Sequence, residues 1–254
     1  MRRAAAFALP ALLLAGCAAA SRAPAQTDAL TIENRYPLEY AKQFTVDVCA
    51  GGYDLITIDG SRYLVVPEGA AAPANLDADI TVLQQPIQNI YLVSSSAMDP
   101  IISIGGLGAV ALSGTQAENW YLDAARTAME QGEIAYAGKY SAPDYETILS
   151  ADCGLAIENT MIYHTPEVKE QLEKFGVPVL VERSSYESDP LARMEWVKLY
   201  GILLGRTEEA ERIFDDAVQR IAPLLDEEPT GKTAAFFSIC LLYTSPSPRD
   251  VEES

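Results

Sequence analysis

Hydrophobic and polar positions change their rhythm once along this chain. From Phe44 to Pro67 they alternate, in Phe44-Thr-Val-Asp-Val, Tyr53-Asp-Leu-Ile-Thr-Ile and Arg62-Tyr-Leu-Val-Val-Pro, with Gly51-Gly52 and Asp59-Gly60 between the runs. Period-two alternation broken by tight-turn residues predicts a β-meander. Ala70 to Ala78 reads as a small-residue loop. From Asn89 onward short unalternating apolar runs take over: Ile90-Tyr-Leu-Val, Ala109-Val-Ala-Leu, Ile134-Ala-Tyr-Ala, Leu155-Ala-Ile and Pro178-Val-Leu-Val. Strands buried on both faces have this texture. Asp99-Pro100, Ser141-Ala-Pro143, Thr165-Pro166 and Asp189-Pro190 mark helix starts, because Pro lacks an N–H at a position where none is needed. Gly176 stands where the helix begun at Thr165 should end. The pattern predicts an α/β fold: a β-meander, then a doubly wound, mainly parallel sheet. Residues 189–227 follow as a long helix broken near Gly205, with Ala210, Ile213, Phe214, Ala217 and Ile221 on one stripe.

Composition narrows the chemistry. Among 254 residues, 36 acidic side chains face 18 basic ones for a net charge of −18, which argues against nucleic acid as a partner. His164 is the single histidine, so Ser-His-Asp or Cys-His catalysis would have to pass through it, and His-rich zinc sites do not fit. It lies before a helix start and reads as a loop residue. Gly231-Lys-Thr lacks the upstream glycine of a phosphate-binding loop, and Gly105-Gly-Leu-Gly108 reads as a helix end.

At the N-terminus, Arg2 and Arg3 precede the apolar stretch Ala4–Ala15 and then Leu14-Ala-Gly-Cys17. This is the layout of a secretory signal, too short to span a bilayer. Leu-Ala-Gly-Cys also resembles the bacterial lipobox, which implies cleavage before Cys17 and lipid attachment to its sulfur. Residues 1–16 are then the signal peptide and 17–30 a lipid-anchored tether, placing the protein on the extracytoplasmic face of a membrane. Cys49 and Cys153 either pair or remain separate buried thiols; spacing does not decide.

Ser141-Ala-Pro-Asp-Tyr-Glu-Thr-Ile-Leu-Ser, Leu155-Ala-Ile-Glu-Asn-Thr, Glu170-Gln-Leu-Glu-Lys-Phe-Gly-Val-Pro-Val and Pro190-Leu-Ala-Arg-Met-Glu-Trp-Val-Lys-Leu-Tyr-Gly resemble, in order and spacing, the substrate-binding proteins of iron-siderophore, haem and cobalamin ABC importers (class III periplasmic binding proteins). The resemblance runs from about Asp79 to Ile239. It implies two α/β lobes joined by a rigid helix, a metal chelate bound between them, and docking on an ABC permease with its ATPase. On that scheme residues 31–188 form the N-terminal lobe, 189–227 the linking helix and 228–239 the start of a C-terminal lobe that is largely missing. Residues 240–254 include a stretch resembling translated adapter sequence and are expected to be a non-native tail.

Ligands of open α/β sheets sit beyond the carboxyl ends of the strands. The loops there nominate Ser95, Ser96, Met98, Tyr140, Asn159, Thr160, Arg183, Ser184, Ser185 and Tyr186 as ligand contacts. Arg183 suits an anionic oxygen-rich chelate, although Ser and Asn in such loops also cap helices. The resemblance assigns Glu146 to permease docking; its other reading is a carboxylate that complements a helix dipole. The expected protein is a monomeric, non-enzymatic binder with no cofactor of its own, since the ligand brings its iron or cobalt. A hydrolase using a serine of Ser94–Ser96, and a signalling lipoprotein, are the competing classes.

Overall fold

The computed structural model describes residues 30–225 and 231–233. Cys17, the 1–16 signal, nearly all of the 17–30 tether, most of 228–239 and the 240–254 tail lie outside the described residues. The chain divides into two units, Met1–Asp215 and Asp216–Ser254.

Two five-stranded sheets form the first unit. One contains β1 (Ile32–Arg35), β2 (Phe44–Cys49), β3 (Tyr53–Ile58), β4 (Ser61–Val66) and β5 (Ile80–Gln84), in that order. β1 to β4 pair antiparallel, whereas β5 returns parallel to β4 after the predicted 70–78 loop. The meander is thus extended by two strands. Cys49 and Cys153 are free, buried thiols.

The second sheet holds β6 (Ile90–Leu92), β7 (Val110–Ser113), β8 (Ala135–Tyr136), β11 (Ala156–Glu158) and β12 (Val179–Val181), all parallel in the order β12-β11-β6-β7-β8. Each matches one of the five unalternating runs. Between β8 and β11 a two-residue-strand hairpin, β9 (Gly138–Lys139) with β10 (Ala142–Pro143), takes up Pro143, so the next helix starts after Asp144.

Chain direction decides which face each helix covers. Right-handed crossovers put α1 (Met98–Ser103) and α2 (Asp123–Glu130) on one face, and α3 (Tyr145–Ser150) and α4 (Pro166–Lys174) on the other. Accordingly Tyr91, Val93, Ala156 and Val181 cluster with Ile148 of α3 and with Val168 and Leu172 of α4. Gly176, at φ 81°, ends α4 as expected.

The long 189–227 helix is two helices, α5 (Pro190–Leu203) and α6 (Thr207–Leu225). Asp189 caps α5, accepting from the Leu191 amide at 2.7 Å. From Leu191 to Leu203 nearly every side chain of α5 is buried, and the helix packs on α1. Its last carbonyls, which have no intrahelical donor, accept from Gln85 Nε2 at 2.9 and 3.2 Å.

Two buried carboxylates join α5 to the first sheet. Glu195 accepts from the amides of Glu39, Tyr40 and Ala41 at 2.7–2.8 Å and from Lys198 Nζ at 2.9 Å. Glu187 accepts from the amides of Lys42 and Gln43 and from Trp196 Nε1. Five consecutive amides of the β1–β2 connection are thereby satisfied by side chains remote in sequence. Lys198 lies 4.4 Å over the Phe214 ring, which adds a cation–π contact to its ion pair.

Candidate functional site

In the order β12-β11-β6-β7-β8 the winding reverses between β6 and β11: the chain leaves β6 towards β7 and leaves β11 towards β12. Loops diverging from neighbouring strand ends open a crevice there. Three short 3₁₀ turns border it: Ser95–Ala97 after β6, Thr160–His164 after β11 and Ser184–Tyr186 after β12.

Glu182, buried just beyond β12, ties two of these turns together. Its Oε2 accepts from Ser94 Oγ at 2.9 Å and Ser96 Oγ at 2.7 Å, and its Oε1 accepts from the Ser184 amide at 2.6 Å. Beside them lies a cavity of about 370 Å³, where Ser96, Ser184 and Ser185 meet Asp99, Ser103 and Arg193 above an apolar floor of Val197, Ile213 and Phe214. Three of the ten nominated residues therefore share one concavity, and the exposed Ser95 adjoins it.

The other nominations separate. Met98 is fully buried at the start of α1, so it is a core side chain and not a ligand contact. Arg183 is engaged: Nη1 pairs with Asp59 at 2.6 Å, Nε donates to Gln43 at 3.3 Å, and its guanidinium lies 4.6 Å over the exposed Tyr186 ring. Its charge holds the β12 turn to the first sheet. Asn159 caps the next turn, its Oδ1 accepting from the Met161 amide at 2.9 Å, and Thr160 is half-buried at the start of that turn. Tyr140 packs against the α3–α4 core cluster. His164 is exposed at the end of the turn after β11.

Gly138 sets the hairpin that presents Lys139 and Tyr140. At φ 82° it occupies the left-handed region, and a Cβ there would lie 2.3 Å from the Ala142 carbonyl oxygen. Gly138→Ala is expected to lose more than the roughly 1–2 kcal/mol of the backbone term alone, because the clash is with main chain. Urea denaturation measures this, and a loss below 0.5 kcal/mol, on the order of an ordinary surface change, would contradict it.

Beyond the nominated contacts, a rim of exposed side chains follows the strand ends. Tyr121 after β7 is 99% exposed, and Tyr136 at the end of β8 and Met161 and Tyr163 after β11 are also exposed. The signal was present, since each occupies a strand-end loop or its edge, but exposure is not readable from residue type. The larger omission is Glu158, the last residue of β11. It is wholly buried, neither carboxyl oxygen has a hydrogen-bond partner, and burial pushes its carboxyl up to about 8.

Glu146 is exposed in the first turn of α3, next to Asp144, whose carboxylate caps that helix by accepting from the Thr147 amide and hydroxyl. Hydrogen bonds from Thr147 hold the Asp144 carboxyl below its ordinary range. Glu146 and Glu133 border a shallow groove between α3 and the β7–β8 edge. Among the described residues, no three His, Cys, Asp or Glu side chains are grouped so as to hold a metal ion, and no helix is long and apolar enough to cross a membrane.

No family model matches the chain. It is similar to an uncharacterized lipoprotein of Methanocaldococcus jannaschii, with 21% identity over 174 residues, 63% of this chain and 41% of that protein. Among solved structures it is similar to a periplasmic haem-binding protein from Pseudomonas aeruginosa (22% identity, TM-score 0.44, 55% of this chain and 46% of that one). It is also similar to the periplasmic haem-binding protein HutB of Vibrio cholerae (16%, 0.44, 56% and 51%). A third is the molybdate-binding protein MolA of Haemophilus influenzae (11%, 0.45, 55% and 48%). The chain spans about half the length, or less, of each of these proteins.

Proposed function

We propose that this chain is part of an extracytoplasmic solute-binding lipoprotein that captures a metal chelate, a ferric siderophore, haem or corrinoid, and hands it to an ABC permease. One observation carries the reading. The winding reverses between β6 and β11, a cavity lined by Ser96, Ser184 and Ser185 lies at the turns after β6 and β12, and exposed tyrosines and a methionine follow the other strand ends. Few polar groups beside much apolar and aromatic surface suit a large ligand with an apolar face and an oxygen-rich one. The Leu14-Ala-Gly-Cys17 motif and the lipoprotein name of the archaeal relative support an extracytoplasmic location. In this reading the ligand supplies its own iron or cobalt, Cys17 carries the lipid, and the exposed Glu146 meets basic groups of the permease.

A hydrolase is disfavoured by the serine loop itself. Ser94 and Ser96 both donate to Glu182, whose other oxygen holds the Ser184 amide, so their hydroxyls fix two turns together. Titration of the chain with a ferric siderophore, haem and cobalamin, followed by quenching of Trp120 and Trp196, tests the proposal. Saturable quenching by one chelate is expected. Tyr163→Ala and Tyr121→Ala should each weaken it roughly two- to tenfold, the range for one aromatic contact. Saturation by none of the three would overturn the reading.

A further inference from the structure

Glu158 is not among the residues assigned to the chelate above, yet its surroundings are specific. Parallel register sets it beside Val181 of β12, and Ala156, two residues earlier, belongs to the cluster that contains Val93, Val181 and Ile162. A strand alternates faces, so Glu158 points into that same cluster. Ile162 is the fully buried residue of the Thr160–His164 turn, which makes the turn part of what seals the carboxyl from water. The titratable groups nearest it by electrostatic influence are Tyr91 of β6 and Tyr145 of α3. Tyr91 donates to the Gly138 carbonyl at 2.7 Å, β12 contributes only Val181 in register, and on the turn and α4 His164 and Glu167 face water. None of Tyr91, Tyr145 and Val181 offers it a positive charge.

We propose that Glu158 is a proton-controlled latch on the Thr160–His164 turn: protonated, it lies sealed beneath the turn, and on giving its proton to solvent it moves to water and lifts the turn. An ionised carboxylate without a partner is not tolerated in an apolar cluster, and the shortest route out is past the turn that follows it in the chain. The turn carries Asn159 and Thr160 at its start and the exposed Met161 and Tyr163, so lifting it remodels the β11 side of the crevice. The latch stands on the burial of Glu158; its bearing on ligand capture rests on the solute-binding reading.

Linkage gives the sign. A carboxyl that titrates near 8 when sealed and near its ordinary value when exposed favours opening as pH rises between those values, and the effect levels off above about 8. Hydrogen exchange of the full chain reads it on the amides of Met161, Ile162, Thr165 and Val168, which donate within this segment. After correction for intrinsic rates, their opening should increase by up to about 100-fold from pH 5.5 to 7.5. Amides of the β2–β3 pair should not follow. Glu158→Gln and Glu158→Met should both flatten the rise, and if neither folds, the pH profile of the unmodified chain still decides. Absence of the rise, an equal rise in β2–β3, or persistence of the rise in a folded variant would each overturn the latch. The exchange needs no ligand. A pH-dependent turn in a chain that binds none of the three chelates would therefore uphold the latch and overturn the solute-binding reading.

Discussion

Glu195→Ala is expected to destabilise the protein by about 3–5 kcal/mol, the cost of removing one partner from a buried, hydrogen-bonded ion pair. The variant leaves the Lys198 ammonium buried without its carboxylate and strips acceptors from the amides of Glu39, Tyr40 and Ala41. Urea denaturation at neutral pH measures it, and a loss under about 1 kcal/mol, well short of that range, would show that the loop re-pairs with water. Glu195→Gln should fall between, since an amide oxygen still accepts but carries no charge for Lys198. Acid titration gives the same result independently. Burial works against the charged form of Glu195, but the amides of Ala41, Glu39 and Tyr40 together with Lys198 outweigh it, and the carboxyl sits below its ordinary range. A carboxyl with a depressed native value contributes stability above its unfolded value that disappears as pH falls through the native one. Wild-type stability should therefore decline on acidification below about pH 4, and the Glu195→Gln curve should be flatter there.

Trp196→Ala is the second large effect, about 3–5 kcal/mol for truncating a fully buried tryptophan. Its ring meets Phe44 edge-on at 4.9 Å, and its indole N–H donates to Glu187 at 3.1 Å, so it packs β2 against α5 while helping to orient the Glu187 carboxylate. Trp196→Phe keeps an aromatic ring at the site and loses only the donor. It should cost roughly 1–2 kcal/mol, the scale of one hydrogen bond to a charged group. Equal losses for the two variants would mean that the hydrogen bond, and not the ring, dominates.

Much of this fold was legible because its strands advertise their surroundings. Tyr53–Ile58 mixes polar with apolar positions, as a meander strand does, whereas Val179–Val181 is apolar throughout and buried along its length at the edge of a parallel sheet. β1 left no such trace: Ile32–Arg35 is exposed along its length and is a strand only because β2 offers it partners. β5 was hidden for a related reason. Its parallel pairing with β4 is formed across a loop of small residues, and no local pattern encodes it. The crevice could be located, because winding order places it, but its occupants could not, because side-chain direction is set by packing. Met98 turned into the core while Met161 stayed outside, though both follow a strand by a few residues. Arg183 suited an anion by chemistry and met Asp59 instead, a contact between residues 124 positions apart. Glu187 and Glu195 had one visible sign. Glu195 and Lys198, three apart on the mostly apolar α5, could be buried there only as a pair, but nothing local names the amides the carboxylate would hold.

The grip on the 39–43 amides also bears on the order of events as the chain forms. Its donors are made 144 to 156 residues before its acceptors. Until Glu187 and Glu195 have been synthesised, the connection between the first two strands has no carboxylate to bind, and hairpins of the meander formed earlier remain joined to a loose lead-in. Contacts of such long sequence separation close late and slowly. The connection between β1 and β2 should thus stay unlocked until α5 has been made.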